Sequence, residues 1–227
     1  MLLDDKTIRY IDIFVTSFIP LLKGFLTFSI PLTLVSFALG LALALLTALA
    51  RISKFKLLGL LASFYVWIIR GTPLMVQLFI IFYGLPSLGI TLNPLIAAVI
   101  GFTLSVGAYN SEVIRAAIQS IPKGQWEAAH SLGMTDIQAL KRIILPQAAR
   151  VSVPPLSNSF ISLVKDTSLA ASITVAELFQ IGQRITARTY EPLLLYVEVA
   201  LIYLLFCTIL TMIQSKIEKL LARYVAK

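Results

Sequence analysis

The sequence has little charge. Only 13% of its 227 residues are Asp, Glu, Lys or Arg, whereas 58% are hydrophobic, and the mean hydropathy is +0.90. This composition excludes an ordinary soluble domain and is typical of a protein embedded in a membrane. The net charge of +8 therefore indicates basic residues that hold loops on the cytoplasmic side, and not a nucleic-acid partner.

Reactive and metal-binding side chains are also scarce. The single cysteine, Cys207, excludes a disulfide within the chain and a cysteine metal cluster. The single histidine, His130, excludes an H-E-x-x-H metal site, and the sequence contains no G-x-x-x-x-G-K-[ST] nucleotide-binding loop. We therefore expect no catalytic residue, no metal site and no cofactor bound by the chain itself.

Long apolar runs dominate what remains. A membrane span needs about 20 mostly apolar residues, and five stretches qualify: 24–50, 57–85, 92–114, 147–165 and 193–215. The second contains Arg70, Gly71 and Pro73, which are costly in lipid, so we expect its helix to be broken or to begin at the interface there. Residues 7–19 carry apolar side chains at helical spacing and predict an amphipathic interfacial helix before the first span. The predicted fold is all-α, a single multi-pass transmembrane domain over residues 1–227.

Basic residues cluster in alternate loops. The loop after the first span, the loop 120–146 and the C-terminal tail are rich in Lys and Arg, whereas the loop between the second and third spans has no charge. Because cytoplasmic loops carry an excess of Lys and Arg, the three basic segments are predicted to be cytoplasmic. Five spans then place the N-terminus outside and the C-terminus in the cytoplasm. Asp4, Asp5 and Asp12, without a basic stretch before a short apolar run, predict no cleaved signal peptide.

The loop 120–146 carries its own helix signals. Ser120 is placed to cap a helix that Pro122 begins, and Gly133 stands where a left-handed C-terminal cap is expected. Thr135 and Gln138 form a T-x-x-Q capping box for a second short helix. Two short helices at an angle would make a compact knob on the membrane face.

The packing of this loop is also predictable. Trp126, Ala129 and Leu132 are expected to pack inward, while Ala128 is small enough for another protein to approach closely. Pro146 is expected to interrupt or kink the second helix.

Three motifs carry a family resemblance. The order Glu127-Ala128-Ala129, three residues, Gly133 and then Leu145-Pro146 resembles the EAA loop of the membrane subunits of ABC importers. The stretches RGTPLMVQLF (70–79), YNSEVIRAAIQSIPKGQWEAA (109–129) and LVKDTSLAA (163–171) are similar to the polar amino acid permease family, over about residues 15 to 220. The resemblance implies the fold of a type I ABC importer permease in the cell membrane.

The resemblance also implies partners. In that family the EAA loop docks into a groove of a separate ATPase subunit, and the coupling residues expected here are Trp126, Glu127, Ala128, Ala129 and Gly133. Two such ATPases would bind ATP and Mg²⁺, a second permease subunit (a copy or a close relative) would complete the pathway, and an extracytoplasmic binding protein would deliver the amino acid. An alternative is a secondary transporter driven by an ion gradient through Glu198 or Asp166. A third class, an intramembrane enzyme, lacks a usable nucleophile and base.

Polar groups inside the predicted spans are candidate substrate ligands, because they are costly in lipid. Asn158, Ser162 and either Lys165 or Asp166 share one helical face, and Asn158 falls near mid-membrane, where a transporter site is expected. Tyr109 in the third span is a further candidate. Lys165 and Asp166 have an equal alternative, which is to hold the outer end of the fourth helix.

Two acids favour a cationic cargo. Glu198 lies in an apolar run without a basic residue within one helical turn, and a buried, unpaired carboxylate either is protonated or meets a cation. Glu191 is predicted at the outer mouth of the same helix. We therefore hypothesise a basic amino acid, such as arginine, lysine or histidine, as the substrate.

Overall fold

The computed structural model describes residues 5–222, with the side chains of residues 221 and 222 excepted. Asp4, which contributed to the predicted outside location of the N-terminus, and part of the predicted basic tail lie outside the described residues. The described helices are α1 (Asp5–Gly24), α2 (Ile30–Ile52), α3 (Lys56–Gly71), α4 (Leu74–Phe79), α5 (Pro94–Gln119), α6 (Lys123–Ser131), α7 (Asp136–Ala139), α8 (Leu145–Asp166), α9 (Leu178–Thr189) and α10 (Pro192–Ala222).

Among the described residues, three helical segments are long and apolar enough to cross a membrane: Asp5–Ile52, Pro94–Gln119 and Pro192–Leu220. A fourth arises if Lys56–Gly71 and Leu74–Leu88 are counted as one broken span. Within residues 5–222 the regular structure is entirely helical. The predicted all-α, multi-pass membrane fold is therefore confirmed. The break falls at Thr72–Pro73, beside Arg70 and Gly71, as the sequence predicts.

The predicted span 147–165 is helical within α8, which begins two residues earlier and ends one residue later. Arg150, the prolines Pro154 and Pro155, and the run Ser157-Asn158-Ser159 make α8 less apolar than the other candidate spans. Prolines and polar side chains are tolerated in membrane helices where neighbouring helices satisfy them. That α8 crosses the membrane stays a prediction.

The N-terminal helix differs from its predicted bounds. Residues 7–19 are helical, but α1 continues to Gly24 and joins α2 through a π-helical turn, Phe25–Ser29, without a loop. The helical path Asp5–Ile52 is 48 residues long. An interfacial position for residues 7–19 remains a prediction.

The chain divides into two compact units. The first comprises the described residues up to Ser36, together with Leu74–Gly101 and Ile161–Met212. In it, α1 packs against α9. A Cβ at Gly24 would meet Ile181 Cδ1 at 2.3 Å, and one at Gly182 would meet Val199 Cγ2 at 2.8 Å. Gly24 therefore permits the close approach of α1 and α9, and Gly182 permits the close approach of α9 and α10.

The second unit comprises Phe37–Pro73, Phe102–Phe160 and the described residues from Ile213 onward. Its core is built where α2, α5 and α8 meet the loop 120–146. The buried members of this core are small or branched apolar residues: Ala44, Ala48, Ile114, Ala117, Ile118, Ile121, Ile144 and Ala148. The loop is thus anchored on the ends of three helices.

Candidate functional site

The loop 120–146 folds through its own caps. The hydroxyl of Thr135 accepts from Gln138 N, and the Gln138 side chain accepts from Thr135 N, so the predicted capping box is confirmed. Gly133 has φ of +77°, and the N–H of Met134 donates to the carbonyl of Ala129 at 3.1 Å. This geometry closes the end of α6 and confirms Gly133 as its left-handed cap.

The predicted cap at Ser120 is wrong, and of the two effects predicted for Pro146, to interrupt or to kink the second helix, the interruption is wrong. The residue before α6 is Pro122, which offers no side-chain cap, whereas the Ser120 hydroxyl donates to Ala117 O at 2.8 Å within the preceding helical turn. Pro146 does not interrupt a helix, because α7 continues through a π-helical turn, Leu140–Ile144, into α8. The wider π turn just before Pro146 accommodates the proline ring, which would otherwise crowd the preceding turn.

The buried face of the loop 120–146 includes only some of the residues predicted to pack inward. Ala129 is buried and Trp126 is half-buried against the core of the second unit. Leu132, however, is 78% exposed, so its predicted inward packing is wrong. Leu132 follows the last helical residue of α6 and leaves the buried face as the chain turns at Gly133. Glu127 and Ala128 are exposed, which keeps both available to another protein.

The loop is tied to a second connection in the same unit. Lys54, between α2 and α3, donates to Asp136 Oδ2 at 2.7 Å, and His130 Nε2 lies 3.2 Å from Asp136 Oδ1. The hydrogen bond from Lys54 holds the pKa of the Asp136 carboxyl below its usual value, and the same bond raises the pKa of Lys54. Both connections therefore lie on the same side of this unit.

Two of the predicted substrate residues lie in the second unit. Asn158 is exposed on α8 and accepts a hydrogen bond from Gln214 Nε2 at 2.9 Å. Tyr109 is 48% exposed on α5, and the guanidinium of Arg70 lies 5.3 Å from its ring centroid. The contacts found for these two residues are thus with different helices.

The other four lie in the first unit. Ser162 and Asp166 are exposed near the end of α8. Glu191 forms an ion pair with Arg9 at 3.3 Å. Glu198 is buried, and its Oε2 accepts from the Ser17 hydroxyl at 2.5 Å, while its Oε1 has no hydrogen-bond partner among the described residues. Ser17 is brought to Glu198 from 181 positions away, a neutral partner that the sequence does not reveal.

Sequence reasoning missed a charged cluster in the second unit. Glu112 pairs with Arg115 at 2.7 Å, and it also contacts Arg51 directly and lies 3.8 Å from Arg70. The distances along the chain from Glu112 to Arg51 and Arg70 are too long for helical periodicity to reveal. The costly position of Arg70 in a predicted span was the available signal.

A second missed residue is Glu177 in the first unit. It is fully buried, and its carboxylate caps α9 by accepting from Phe179 N at 2.9 Å and Gln180 N at 2.7 Å. The Tyr203 hydroxyl donates to it at 3.1 Å. The available signal was its place in the sequence, because an acid just before an amphipathic stretch is typical of an N-cap.

A helical chain with several apolar helices long enough to cross a membrane and a capped, partly exposed loop has the features of a transporter's membrane subunit. Residues 36–223 match the family model described as binding-protein-dependent transport system inner membrane component. The chain belongs to this family. It is a transmembrane permease subunit of an ABC amino acid importer and is not itself catalytic.

Relatives and solved structures agree with this class. The chain is 57% identical to the L-cystine transport system permease protein TcyB of Bacillus subtilis (strain 168), over 95% of this chain and 93% of that protein. It is 42% identical to the probable amino-acid ABC transporter permease protein YckA of the same organism, over 93% of each. The crystal structure of an amino acid ABC transporter with histidines superposes with a TM-score of 0.83 at 33% identity, over 96% of this chain and 99% of that chain.

Proposed function

We propose that this chain forms half of the translocation pathway of an ATP-driven importer for L-cystine or a similar polar amino acid. The observation that carries the proposal is the exposed Glu127-Ala128 edge of α6 on a loop that is anchored to the core by Trp126 and Ala129. A rigid, exposed helix of this kind can transmit the movement of a docked protein to the helices beneath it.

The division of roles in this loop follows from exposure. Glu127 offers a carboxylate to a basic partner, and Ala128 allows close seating. Ala129, Trp126 and Gly133 hold the shape of the knob rather than contact the partner. ATP and Mg²⁺ are bound by two partner ATPase subunits, whose closure moves the loops of two permease subunits and opens the pathway to the binding protein.

Orientation is part of the proposal. The Lys54–Asp136 ion pair supports a common side for the first basic loop and the loop 120–146, as the excess of Lys and Arg predicts. With both on the cytoplasmic side, the N-terminus lies outside and the C-terminus inside.

The proposed substrate class is supported by the relatives of the chain and not by the coupling loop. The narrower hypothesis of a basic amino acid depended on Glu191 and Glu198 as free cation ligands. In the structure Glu191 is paired with Arg9, and Glu198 is buried against Ser17. The identity to a cystine permease instead favours L-cystine, which carries two ammonium and two carboxylate groups. Asn158, Ser162, Asp166 and Tyr109 remain exposed candidate ligands.

The experiment is ATP-driven uptake by the complete transporter, formed by this chain with its co-purifying ATPase and binding protein, in proteoliposomes. We expect uptake of L-cystine that requires ATP inside and the ATPase subunit, and weaker uptake of L-arginine and L-histidine. Uptake that continues without the ATPase and collapses with the ion gradient would establish the secondary-transporter alternative. Preferred uptake of L-arginine, lost in Glu198→Gln and Glu191→Gln, would restore the basic substrate.

A further inference from the structure

The charged cluster of the second unit borders an open cleft of about 460 Å³. Its walls come from the end of α2, from α3 and from α5. The charged and aromatic side chains that line this cleft are those of Arg51, Arg70, Glu112, Tyr109 and Trp67. All belong to the same compact unit.

The cluster has more positive than negative charge. One carboxylate, that of Glu112, serves the guanidinium groups of Arg51, Arg115 and Arg70. Arginine keeps its proton in proteins, so three cations against one ionised carboxylate leave two positive charges that no ion pair among the described residues compensates.

Arg70 is the least compensated of the three. Arg51 contacts Glu112 directly and also donates to the Ser63 hydroxyl, and Arg115 makes two hydrogen bonds to Glu112 Oε2. Arg70 reaches Glu112 only at 3.8 Å, and 45% of its side chain is exposed. Its planar group lies 5.3 Å from the ring centroid of Tyr109, a cation–π contact that does not consume its N–H groups.

An arginine in this position is suited to bind an anion. An exposed cation in a membrane protein is costly unless it faces water or a counter-charge, and a guanidinium pairs best with a planar carboxylate through two parallel hydrogen bonds. Every amino acid carries an α-carboxylate, whatever its side chain. We infer that Arg70 binds the carboxylate of the transported amino acid in this cleft, with Arg51 and Arg115 holding Glu112 so that it does not neutralise Arg70.

This inference rests on the proposed function, since it assigns a subsite to its cargo. It also explains why Tyr109, predicted from sequence as a substrate residue, lies beneath Arg70. The subsite would recognise the α-carboxylate, which all amino acids share. Side-chain selectivity is therefore expected from other residues and from the binding protein.

Trp67 provides a local reporter, because it lines the cleft and is 70% exposed. The complete transporter in lipid nanodiscs is titrated with L-cystine and L-arginine and with the diamide of cystine and the amide of arginine, which keep the ammonium groups and side chains but lack carboxylates. The Trp67 signal is the fluorescence difference from the Trp67→Phe protein. We expect each amino acid to bind about tenfold or more tightly than its amide.

Substitutions of Arg70 then test whether this residue binds the carboxylate. Arg70→Gln should abolish the preference for acid over amide, and Arg70→Lys should keep part of it. Arg184→Gln, an exposed arginine of α9 outside the cleft, should leave the preference unchanged. Equal responses to acid and amide in the unmodified protein, or a preference that survives in Arg70→Gln, would overturn the inference; the first outcome needs no variant to fold.

Two further measurements distinguish a lipid ligand from an amino acid ligand, and failure of the subsite from failure of the proposed function. A Trp67 signal that follows the phosphatidylglycerol content of the nanodisc, and not the amino acid, would assign the cleft to lipid phosphate and overturn the inference. ATP-driven uptake is measured on the same preparation. Normal uptake without acid-over-amide preference refutes the carboxylate subsite alone, whereas absence of ATP-driven uptake of any amino acid refutes the proposed function.

Discussion

Arg115 Nη2 lies 2.7 Å from Glu112 Oε2, one helical turn away on α5. The same carboxylate also contacts Arg51, which comes from α2, so it joins two helices of the second unit. The side chain of Glu112 is 20% exposed, in contrast with the largely exposed Lys54–Asp136 pair of the same unit.

Glu112→Gln should destabilise the protein. The variant leaves the arginines without their shared counter-charge, and losing hydrogen bonds to a charged group typically costs about 1–3 kcal/mol, with some reduction here for partial exposure to water. Thermal unfolding of the purified permease in nanodiscs should show a lower midpoint. Asp136→Asn is the control and should leave the midpoint unchanged; equal midpoints for the two variants would show that the cluster adds nothing to stability.

Ser17→Ala tests the buried partner of Glu198. The hydroxyl of Ser17 is the donor found for this carboxylate, and a buried acceptor that loses its partner costs about 1–3 kcal/mol. Adding Glu198→Leu to Ser17→Ala should recover much of the loss, because both polar groups are then gone. The two effects are measured as a double-mutant cycle in the same unfolding assay. Additive losses would contradict a direct Ser17–Glu198 contact.

Gly133→Ala tests the turn of the coupling loop. Its φ of +77° is unfavourable for a residue with a Cβ, by about 1–2 kcal/mol, although no atom lies within 4 Å of the added group. Gly124→Ala is a matched control in α6, where the space is equally open and φ is not positive. It should be neutral or stabilising by about 0.5–1 kcal/mol. Equal effects of the two substitutions on the unfolding midpoint would mean that the left-handed turn is not needed.

Features of this fold that depend on neighbouring residues were predictable from the sequence. The capping box of Thr135 and Gln138 spans three positions, and the left-handed cap at Gly133 follows directly after α6. The break beside Arg70 was predictable for the same reason, because an arginine, a glycine and a proline interrupt an apolar run. Caps and helix breaks of this kind are determined by the residues within one or two turns and do not depend on distant segments.

Contacts between distant segments were not predictable from one sequence. Ser17 meets Glu198 across 181 positions, Lys54 meets Asp136 across 82, and Arg51 meets Glu112 across 61. Each depends on how helices pack, which hydrophobic periodicity does not specify. The basic-substrate hypothesis stays unconfirmed for the same reason, because the sequence could not show that Glu191 is paired with Arg9 and that Glu198 contacts Ser17.

Glu127→Lys tests the central claim, that this loop couples the permease to its ATPase. The substitution reverses an exposed charge on α6 and should release the ATPase subunit or abolish ATP-driven uptake, while the affinity of the binding protein for its amino acid stays unchanged. Gln183→Lys, on the exposed side of α9, is the control and should assemble and transport normally.

The most direct measurement is ATP-dependent L-cystine uptake by proteoliposomes that contain the complete transporter with either variant. We predict uptake near the unmodified rate with Gln183→Lys and uptake at the ATP-free background with Glu127→Lys. A Glu127→Lys transporter that keeps its ATPase subunits and imports L-cystine at the unmodified rate would contradict the coupling role of this loop.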